Sequence, residues 1–471
     1  MQTDSMTEII FDFFASQIEF GCYKEGGALP SISHISRQFQ VSALTVRTAL
    51  ARLRERGYIE TRERVPATVI YQPAGHADQQ NVPSFLARKE GINDICRFSG
   101  IVFNPIIRFY FQNLDLAAIK KFRRQLKKAS DFPVRQITHF YAVTMQSMEN
   151  PLALNLHWEV VRYLRLPYLQ HSAGSGQIAS QAAQQLDQVL ALILKGSPGA
   201  AADKMLEYNS RITKLFLQNR FDELDGGPAA EQLPFRWQIY RDHPQLCYTL
   251  ATKIMSRISR QIYHPGQLLP SCQAMAREFG VSQITMRRTL ELLSDMRSTV
   301  TINGVGTKIA PKNNPELPNF AHPQIQKSLL LSLRAMRLCA ITCKDLAIHV
   351  LSPMDADSFR PLIHLLQEHI RDRAYYLTAE TCLRFIGDNS PSAFIREVCS
   401  QLYHLLLWGH ALRAFIQQSP VCSTYEAAAA GLLEKIRNQD ISGFASLLSE
   451  LFFSMEAYTG DIFLHIGLEI R

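Results

Sequence analysis

The chain has 471 residues, 46% of them hydrophobic and 20% charged, which indicates a globular protein of three or four domains. Its formal charge of +8 permits a polyanionic partner without identifying one. We expect a reduced cytoplasmic protein with no membrane contact, because no apolar run approaches the ~18 residues that cross a bilayer, the polar start Met1–Glu8 lacks a signal-peptide pattern, and the nine scattered cysteines do not form a disulfide framework.

A repeat with a constant offset of 240 residues organises the chain. Leu29-Pro30-Ser31 recurs as Leu269-Pro270-Ser271, and Thr45–Leu50 aligns with Thr285–Leu290. The register persists further along, where Pro151 aligns with Pro391 after a polar break in each copy. Matches of this density in one register predict an ancient tandem duplication of the whole unit.

Each copy opens with a predicted helix, and the second copy shows the pattern more clearly. Apolar side chains spaced by about four residues predict an amphipathic helix over Tyr248–Tyr263. Its stripe comprises Leu250, Ile254, Ile258 and Ile262. A turn at Pro265-Gly266 then leads into the next element.

Two short helices joined by a tight turn follow. Ser271 is expected to cap a helix over Cys272–Phe279, which ends at Gly280. Ser282 is expected to cap a further helix over Gln283–Leu293. This arrangement predicts a helix-turn-helix motif.

A β hairpin is predicted after the second helix. In the second copy, strands over Thr299–Ile302 and Thr307–Ile309 flank a turn that contains Gly304 and Gly306. The first copy has Arg64-Val65-Pro66-Ala67 at the turn, without glycine. We therefore expect the first wing to be stiffer than the second.

The remaining sequence has helical periodicity, with breaks at proline, glycine and asparagine. We predict a mainly α fold in which two winged helix-turn-helix modules with small β wings are each followed by an all-α helical-bundle domain. The predicted winged modules span 5–72 and 245–310, and the helical domains span 84–224 and 324–471. Predicted helices within the helical domains are Leu114–Lys128, Leu152–Leu166, Gln181–Leu194, Ala201–Phe216, Met354–Arg371, Phe394–Ile416 and Tyr425–Asn438.

The order of motifs resembles the GntR-type transcriptional regulators. The family pattern Pro-Gly-x-x-Leu-Pro-Ser, Val-Ser-x-x-Thr-Val-Arg-x-x-Leu and Gly-x-Gly-Thr corresponds here to Pro265–Ser271, Val281–Leu290 and Gly304–Thr307. The resemblance implies double-stranded DNA as partner, with the second helix of each motif in the major groove. The expected DNA-binding residues are Ser31, Ser42, Thr45, Arg47, Ser271, Ser282, Gln283, Thr285, Arg287, Gly304 and Gly306.

The sequence departs from the family pattern at two arginine positions. The family usually has arginine just after Leu-Pro-Ser and directly after Val-Ser. Here these positions hold Ser33 and Ala43 in the first copy, and Gln273 and Gln283 in the second. We expect the two modules to recognise different half-sites, the first mainly through phosphate contacts.

The helical domains resemble the FCD effector domains of the FadR-type subgroup. The resemblance lies in Phe140-Tyr141, Glu149–Leu152, Leu186–Tyr208 and Leu432–Leu451. The positions that hold metal ligands in many such domains carry Ile137, Tyr141, Leu186 and Tyr208 in the first copy. We therefore expect neither a metal nor another cofactor.

No arrangement of residues in the sequence predicts catalysis. Cys339 and Cys343 share a helix face, but without further ligands they are expected to be core residues rather than a metal site. No Ser/His/Asp set or pair of carboxylates stands out.

The leading hypothesis is a transcriptional regulator in which one chain acts as a pseudo-dimer on an imperfect inverted repeat. A small-molecule effector, further homodimerisation and the direction of regulation stay open. The alternative is a degenerate regulator that serves as a ligand sensor or protein scaffold. An enzyme is a distant third hypothesis.

Overall fold

The computed structural model describes residues 6–7, 10–11, 13–15, 18, 23, 25–39, 41–62, 65–71, 86–112, 114, 116–126, 150–164, 175–208, 231–239, 245–260, 262–311, 318, 320, 323–412, 415–416, 419 and 421–468. The chain divides into two compact units, Met1–Arg241 with Ser392–Phe394 and Asp242–Pro391 with Ile395–Arg471. In the described part, each unit is mainly helical and contains one two-stranded antiparallel sheet. This confirms the predicted fold class.

The first unit begins with a winged module. The described residues between 6 and 18 are helical. They precede α1 (Ile32–Phe39), α2 (Ala43–Glu55), β1 (Ile59–Glu60) and β2 (Thr68–Val69). The helical part that follows comprises α3 (Lys89–Gln112), α4 (Leu116–Leu126), α5 (Pro151–Tyr163) and α6 (Ser175–Leu194), with further helix over 198–208.

An aromatic cluster joins the first winged module to its helical part. The ring of Phe39, at the end of α1, stacks on that of Trp158 in α5 with centroids 4.6 Å apart. Phe13 meets both rings edge-on, at 5.1 Å from Phe39 and 6.0 Å from Trp158. All three side chains are buried, so this cluster is a shared core between module and bundle.

The second unit repeats the winged module and extends the helical part. Its module comprises α7 (Gln245–Ser259), α8 (Cys272–Glu278), α9 (Gln283–Asp295), β3 (Thr299–Ile302) and β4 (Gly306–Ile309). The bundle comprises α10 (Pro323–Leu351), α11 (Arg360–Arg371), α12 (Thr378–Asp388), α13 (Ala393–Leu406), α14 (Val421–Arg437) and α15 (Ile441–His465). Three 3₁₀ helices, Ala356–Phe359, Tyr375–Leu377 and Leu407–Leu412, lie between them.

The long helices α10 and α15 pack against each other through apolar side chains, and two polar contacts join them. The Arg337 guanidinium pairs with the Glu456 carboxylate at 2.6 Å, and the Ser449 hydroxyl donates to the carbonyl oxygen of Ala340 at 2.6 Å.

Within the described residues, no helix is long and apolar enough to span a membrane.

A different set of contacts joins the second winged module to its bundle. Tyr248 of α7 lies 5.8 Å from the ring of Trp408. At the other end of α7, Ser259 Oγ lies 3.5 Å from Glu380 Oε1. Glu380 is buried in α12 and binds His410 Nε2 at 2.8 Å. The first helix of this module therefore contacts a buried carboxylate that is paired with an imidazole.

Several predicted details in the second unit were wrong. The first helix of its module ends at Ser259 rather than Tyr263, so Ile262 lies outside the helix and is 53% exposed. The single helix predicted over Phe394–Ile416 gives way to a 3₁₀ helix after Leu406. Apolar spacing of three or four residues suits both helix types, which explains this error.

Parts of the predicted organisation lie outside the described residues. These are residues 73–83 between the first winged module and its helical domain, most of residues 311–323 between the second module and its helical domain, and the Phe140-Tyr141 stretch.

Candidate nucleic-acid interface

The second helix of each motif has the same N-cap. Ser42 Oγ accepts from Thr45 N at 3.1 Å, and Ser282 Oγ accepts from Thr285 N at 3.2 Å. In both copies the serine and threonine hydroxyls lie 2.8 Å apart. The serine oxygen satisfies an N–H of the first turn that has no partner within the helix. The cap therefore fixes where α2 and α9 begin.

The preceding helix is capped in the same way. Ser31 Oγ accepts from His34 N, and Ser271 Oγ accepts from Ala274 N, both at 3.2 Å. The α8 helix ends before Gly280, whose φ of 67° is the left-handed conformation that glycine adopts without strain. Local residues therefore fix the turn between the two helices.

The caps separate the candidate residues into two groups. Thr45 is only 2% exposed and Thr285 is half-buried, so both act mainly within the protein as partners of the caps. Arg47, Arg287 and Gln283 are exposed on α2 and α9. These three side chains are free to reach a ligand lying along the first turns of the helices.

The wings share a register but differ in length. Ile59 pairs with Val69 in the first wing, and Thr299 pairs with Ile309 in the second. In the second wing, pairing continues through four residue pairs to Ile302 and Gly306. The first wing pairs only two residues of each strand.

The different turn residues explain this difference. Pro66 stands where the second copy has Gly306, and proline has no N–H to donate across the hairpin. Gly304 and Gly306 have φ values of 76° and 131°, in a region that suits glycine alone. Their exposed backbone leaves the tip of the second wing open to close approach.

Exposed cations surround both candidate interfaces. The structure adds several that sequence analysis did not assign to the interface. Among the described residues of the first module, the exposed arginines are Arg37, Arg47, Arg54, Arg56 and Arg62. In the second they are Arg260, Arg277, Arg287, Arg288 and Arg297, with Lys308 on β4. Alternation along β4 is a signal that would have identified Lys308.

Part of this charge is already paired within the protein. Arg62 pairs with Glu60 at 3.2 Å, and Arg257 of α7 pairs with Glu278 of α8. The unmatched exposed arginines on α2 and α9 are therefore the better candidates for contacts with a polyanion.

Four cysteines of the second bundle are core residues. Cys339, Cys343, Cys382 and Cys399 are all buried, and burial raises the pKa of each thiol above its ordinary value. Among the described residues, no group of three or more His, Cys, Asp or Glu side chains is arranged to hold a metal ion.

The metal-ligand positions of the FCD resemblance are only partly described. Leu186 and Tyr208 are buried, while Ile137 and Tyr141 lie outside the described residues. The similarity of the helical domains to FCD domains, and the expected absence of metal from them, stay predictions.

Two capped helices joined by a tight turn, followed by a β hairpin, define a winged helix-turn-helix protein, a class of DNA-binding module. The family "Bacterial regulatory proteins, gntR family" matches the chain twice, over residues 10–69 and 248–309. Each of the two winged modules therefore matches the DNA-binding domain of the gntR family.

Two curated relatives are similar to a module-sized segment. The chain is 29% identical over 82 residues to the uncharacterized HTH-type transcriptional regulator YieP of Escherichia coli (strain K12), which covers 17% of this chain and 36% of that protein. It is 36% identical over 67 residues to the mannosyl-D-glycerate transport/metabolism system repressor MngR of the same organism, which covers 14% and 28%. The chain thus spans about a third of the length of these relatives.

Two solved structures are distantly similar. A Streptococcus agalactiae GntR protein shares 15% identity at a TM-score of 0.20, covering 45% of this chain and 99% of that one. Lar, described as controlling expression of the Listeria monocytogenes agr system, shares 14% identity at a TM-score of 0.20, covering 46% and 98%. Such low scores carry no argument about the arrangement of this chain.

Proposed function

We propose that this protein is a DNA-binding transcriptional regulator that acts in the cytoplasm through both winged modules. The observation that carries the proposal is a duplicated surface. In both gntR-family segments, the second helix is fixed by the same Ser–Thr cap and presents an exposed arginine, Arg47 or Arg287, from its first turns. Helices of this kind contact base edges with their N-terminal residues.

One chain supplies two DNA-binding heads, so the proposal extends to a pseudo-dimer on one operator. Homodimeric regulators bind palindromes because identical heads impose their two-fold symmetry on the DNA. In this chain the heads differ at Ala43 and Gln283 and at the turn of the wing. The operator is therefore an imperfect inverted repeat.

Selection of bound duplexes from a random pool by the full chain tests this proposal. We expect an enriched imperfect inverted repeat, bound by one chain as measured by native mass spectrometry. A perfect palindrome bound by two chains would contradict the pseudo-dimer and support pairing of identical heads. A pool without enrichment would contradict operator recognition and favour the alternative of a ligand sensor or scaffold.

Arginine variants and salt test whether each head takes part. Arg287→Ala is expected to weaken operator binding by about 1–3 kcal/mol if it makes a bidentate base contact. Arg47→Ala should flatten the dependence of log affinity on log salt, whose slope is about −0.9 per phosphate neutralised. Arg360→Ala removes an exposed arginine from the second helical domain and serves as control. Affinity unchanged by Arg287→Ala would show that the second head is silent.

We include an effector response in the proposal because the bundles contact the DNA-binding modules directly. Trp158 stacks on Phe39 in the first unit, and Glu380 lies against Ser259 in the second. A ligand that displaces these bundle residues would change the position of the module helices. Operator affinity measured against a metabolite collection tests this part, and affinity that no compound alters would contradict it.

We propose no catalytic role. The curated relatives are transcriptional regulators by their names.

A further inference from the structure

Two large aliphatic side chains are exposed at the same position of the two DNA-binding helices. Leu44 is the second residue of α2 and Ile284 the second residue of α9, and each is 66% exposed. They are separated by the 240-residue offset of the repeat. A single exposed aliphatic residue needs no explanation, but equal exposure at the same place in two diverged copies does.

Both side chains lie on the face of the helix that points away from the module core. In α9, Ile284 shares a helix face with Arg287 and Arg288, which are exposed. In α2, Leu44 shares its face with the exposed Arg47. The buried faces comprise Val46, Ala49, Leu50 and Leu53 in α2, and Met286, Thr289, Leu290 and Leu293 in α9.

An aliphatic group set among arginines requires a ligand that is both polyanionic and locally apolar. The major groove of DNA has this combination, because phosphates line it and each thymine presents a 5-methyl group. A protein partner would satisfy the aliphatic group, but it would need a matching acidic surface for each cluster. The cationic surroundings therefore favour DNA.

We propose that Leu44 and Ile284 contact thymine 5-methyl groups and so determine one base pair in each half of the operator. This inference rests on the proposed function and specifies its sequence preference. The two half-sites share a thymine under the aliphatic residue. They differ at the neighbouring base pair, where Gln283 or Ala43 approaches.

Replacing thymine by deoxyuridine tests the contact at the level of one methyl group. The operator is first obtained by selection, and each thymine is then replaced singly. Burial of one methyl group is worth about 0.8 kcal/mol, so one replacement in each half should weaken binding of the full chain about fourfold. Ile284→Ala should abolish the difference between thymine and deoxyuridine in one half only, and Leu44→Ala in the other.

Leu464→Ala is the matched control, because it truncates a comparably exposed aliphatic side chain in the second bundle. It should leave the discrimination between thymine and deoxyuridine intact. Fourfold discrimination that each alanine variant removes from its own half supports the inference.

Two results would overturn the inference, and they have different causes. Specific binding with equal affinity for thymine and deoxyuridine at every position would contradict the inference alone and would assign the two aliphatic residues to a protein contact. Absence of binding to any duplex would contradict the proposed function itself. Because both side chains are exposed, the alanine variants are expected to fold normally.

Discussion

The two winged modules have the same backbone frame and different surroundings. In the first, Leu29 N donates to Ala67 O at 2.8 Å, and in the second, Leu269 N donates to Thr307 O at the same distance. The isolated bridge between Ala28 and Thr68 recurs between Leu268 and Lys308. The offset of 240 residues is thus preserved in the hydrogen bonds as well as in the sequence.

Equivalent phenylalanines show how the surroundings diverged. Phe39 is fully buried against Trp158 of its bundle. Phe279 is half-buried and lies under the guanidinium of Arg257, 4.5 Å from the ring centroid. The phenylalanine of the first module therefore packs into an aromatic core shared with its bundle, whereas the equivalent ring in the second module packs against an arginine of the same module. The backbone hydrogen bonds of the winged module are retained in both copies, but the contacts between module and bundle differ.

The largest expected effect is loss of the aromatic attachment. Trp158→Ala should destabilise the first unit by about 3–5 kcal/mol, because it removes a fully buried indole. Hydrogen exchange of the full chain should show faster exchange in α1 and α5. Trp408→Ala is the matched variant, and its effect should fall on α7 and α13. Similar changes in both units after either substitution would contradict separate attachments.

Acid should weaken the same region of the first unit. His157 lies in α5 beside Trp158, and burial lowers its pKa to about 3. The unfolded chain, with an ordinary histidine pKa, takes up a proton below pH ~6.5 that the folded unit excludes. The free energy of unfolding should therefore fall with decreasing pH, by about 1.4 kcal/mol per unit between the two pKa values.

Denaturation of the full chain at several pH values measures this slope. His157→Leu should flatten the slope for the first unit, while His364→Leu, which removes an exposed histidine from the second unit, should not. An unchanged slope in the His157 variant would show that His157 is not the group responsible.

Exchanging the residues at the first position of α2 and α9 tests whether the two modules prefer different bases. Gln283 offers a paired donor and acceptor to adenine, whereas Ala43 offers only a methyl group. Gln283→Ala should relax specificity at one base pair, at a cost of about 1–3 kcal/mol. Ala43→Gln should introduce an adenine preference in the other half and make the operator more symmetrical. Repeating the selection from a random pool with each variant measures both effects. Equal changes of base preference in both half-sites would contradict the recognition of one half-site by each module.

The sequence predicted those features that neighbouring residues determine. The caps at Ser271 and Ser282 and the glycine turn of the second wing were identified because the residues that form each feature lie within a few positions of one another. The stacking of Phe39 on Trp158 left no signal, since 119 residues separate the two in the sequence.

Burial on the DNA-binding face was also beyond sequence reasoning. Thr45 was expected to reach phosphates or bases, yet it is buried behind the cap that it forms with Ser42. Leu44, next to it, was not singled out although it is among the most exposed aliphatic residues. A hydroxyl group can form a polar contact within the protein or with a ligand, so residue type alone does not distinguish a cap from a ligand contact.

The smallest expected effect concerns the left-handed residue that follows the C-cap of each DNA-binding helix. Gly57 and Arg297 occupy equivalent positions with φ values of 76° and 56°, and their N–H groups bond back to Arg54 and Ser294 at 3.0 and 2.9 Å. A side chain in this left-handed conformation is strained by about 1 kcal/mol. Gly57→Ala should therefore destabilise the first module by roughly that amount, although the added methyl group meets nothing within 4 Å.

Arg297→Gly should stabilise the second module by about 0.5–1 kcal/mol, since relief of strain is partly offset by the greater freedom of glycine in the unfolded chain. Gly199→Ala is the control, because it also adds a methyl group in open space but at an ordinary φ within a helix. It should be neutral or stabilising. Hydrogen exchange at the ends of α2 and α9 in the full chain measures these differences. If Gly57→Ala and Gly199→Ala change stability in the same direction, the left-handed backbone is not what distinguishes the two helix ends. The two modules would then differ there in side-chain contacts of Arg297 rather than in strain.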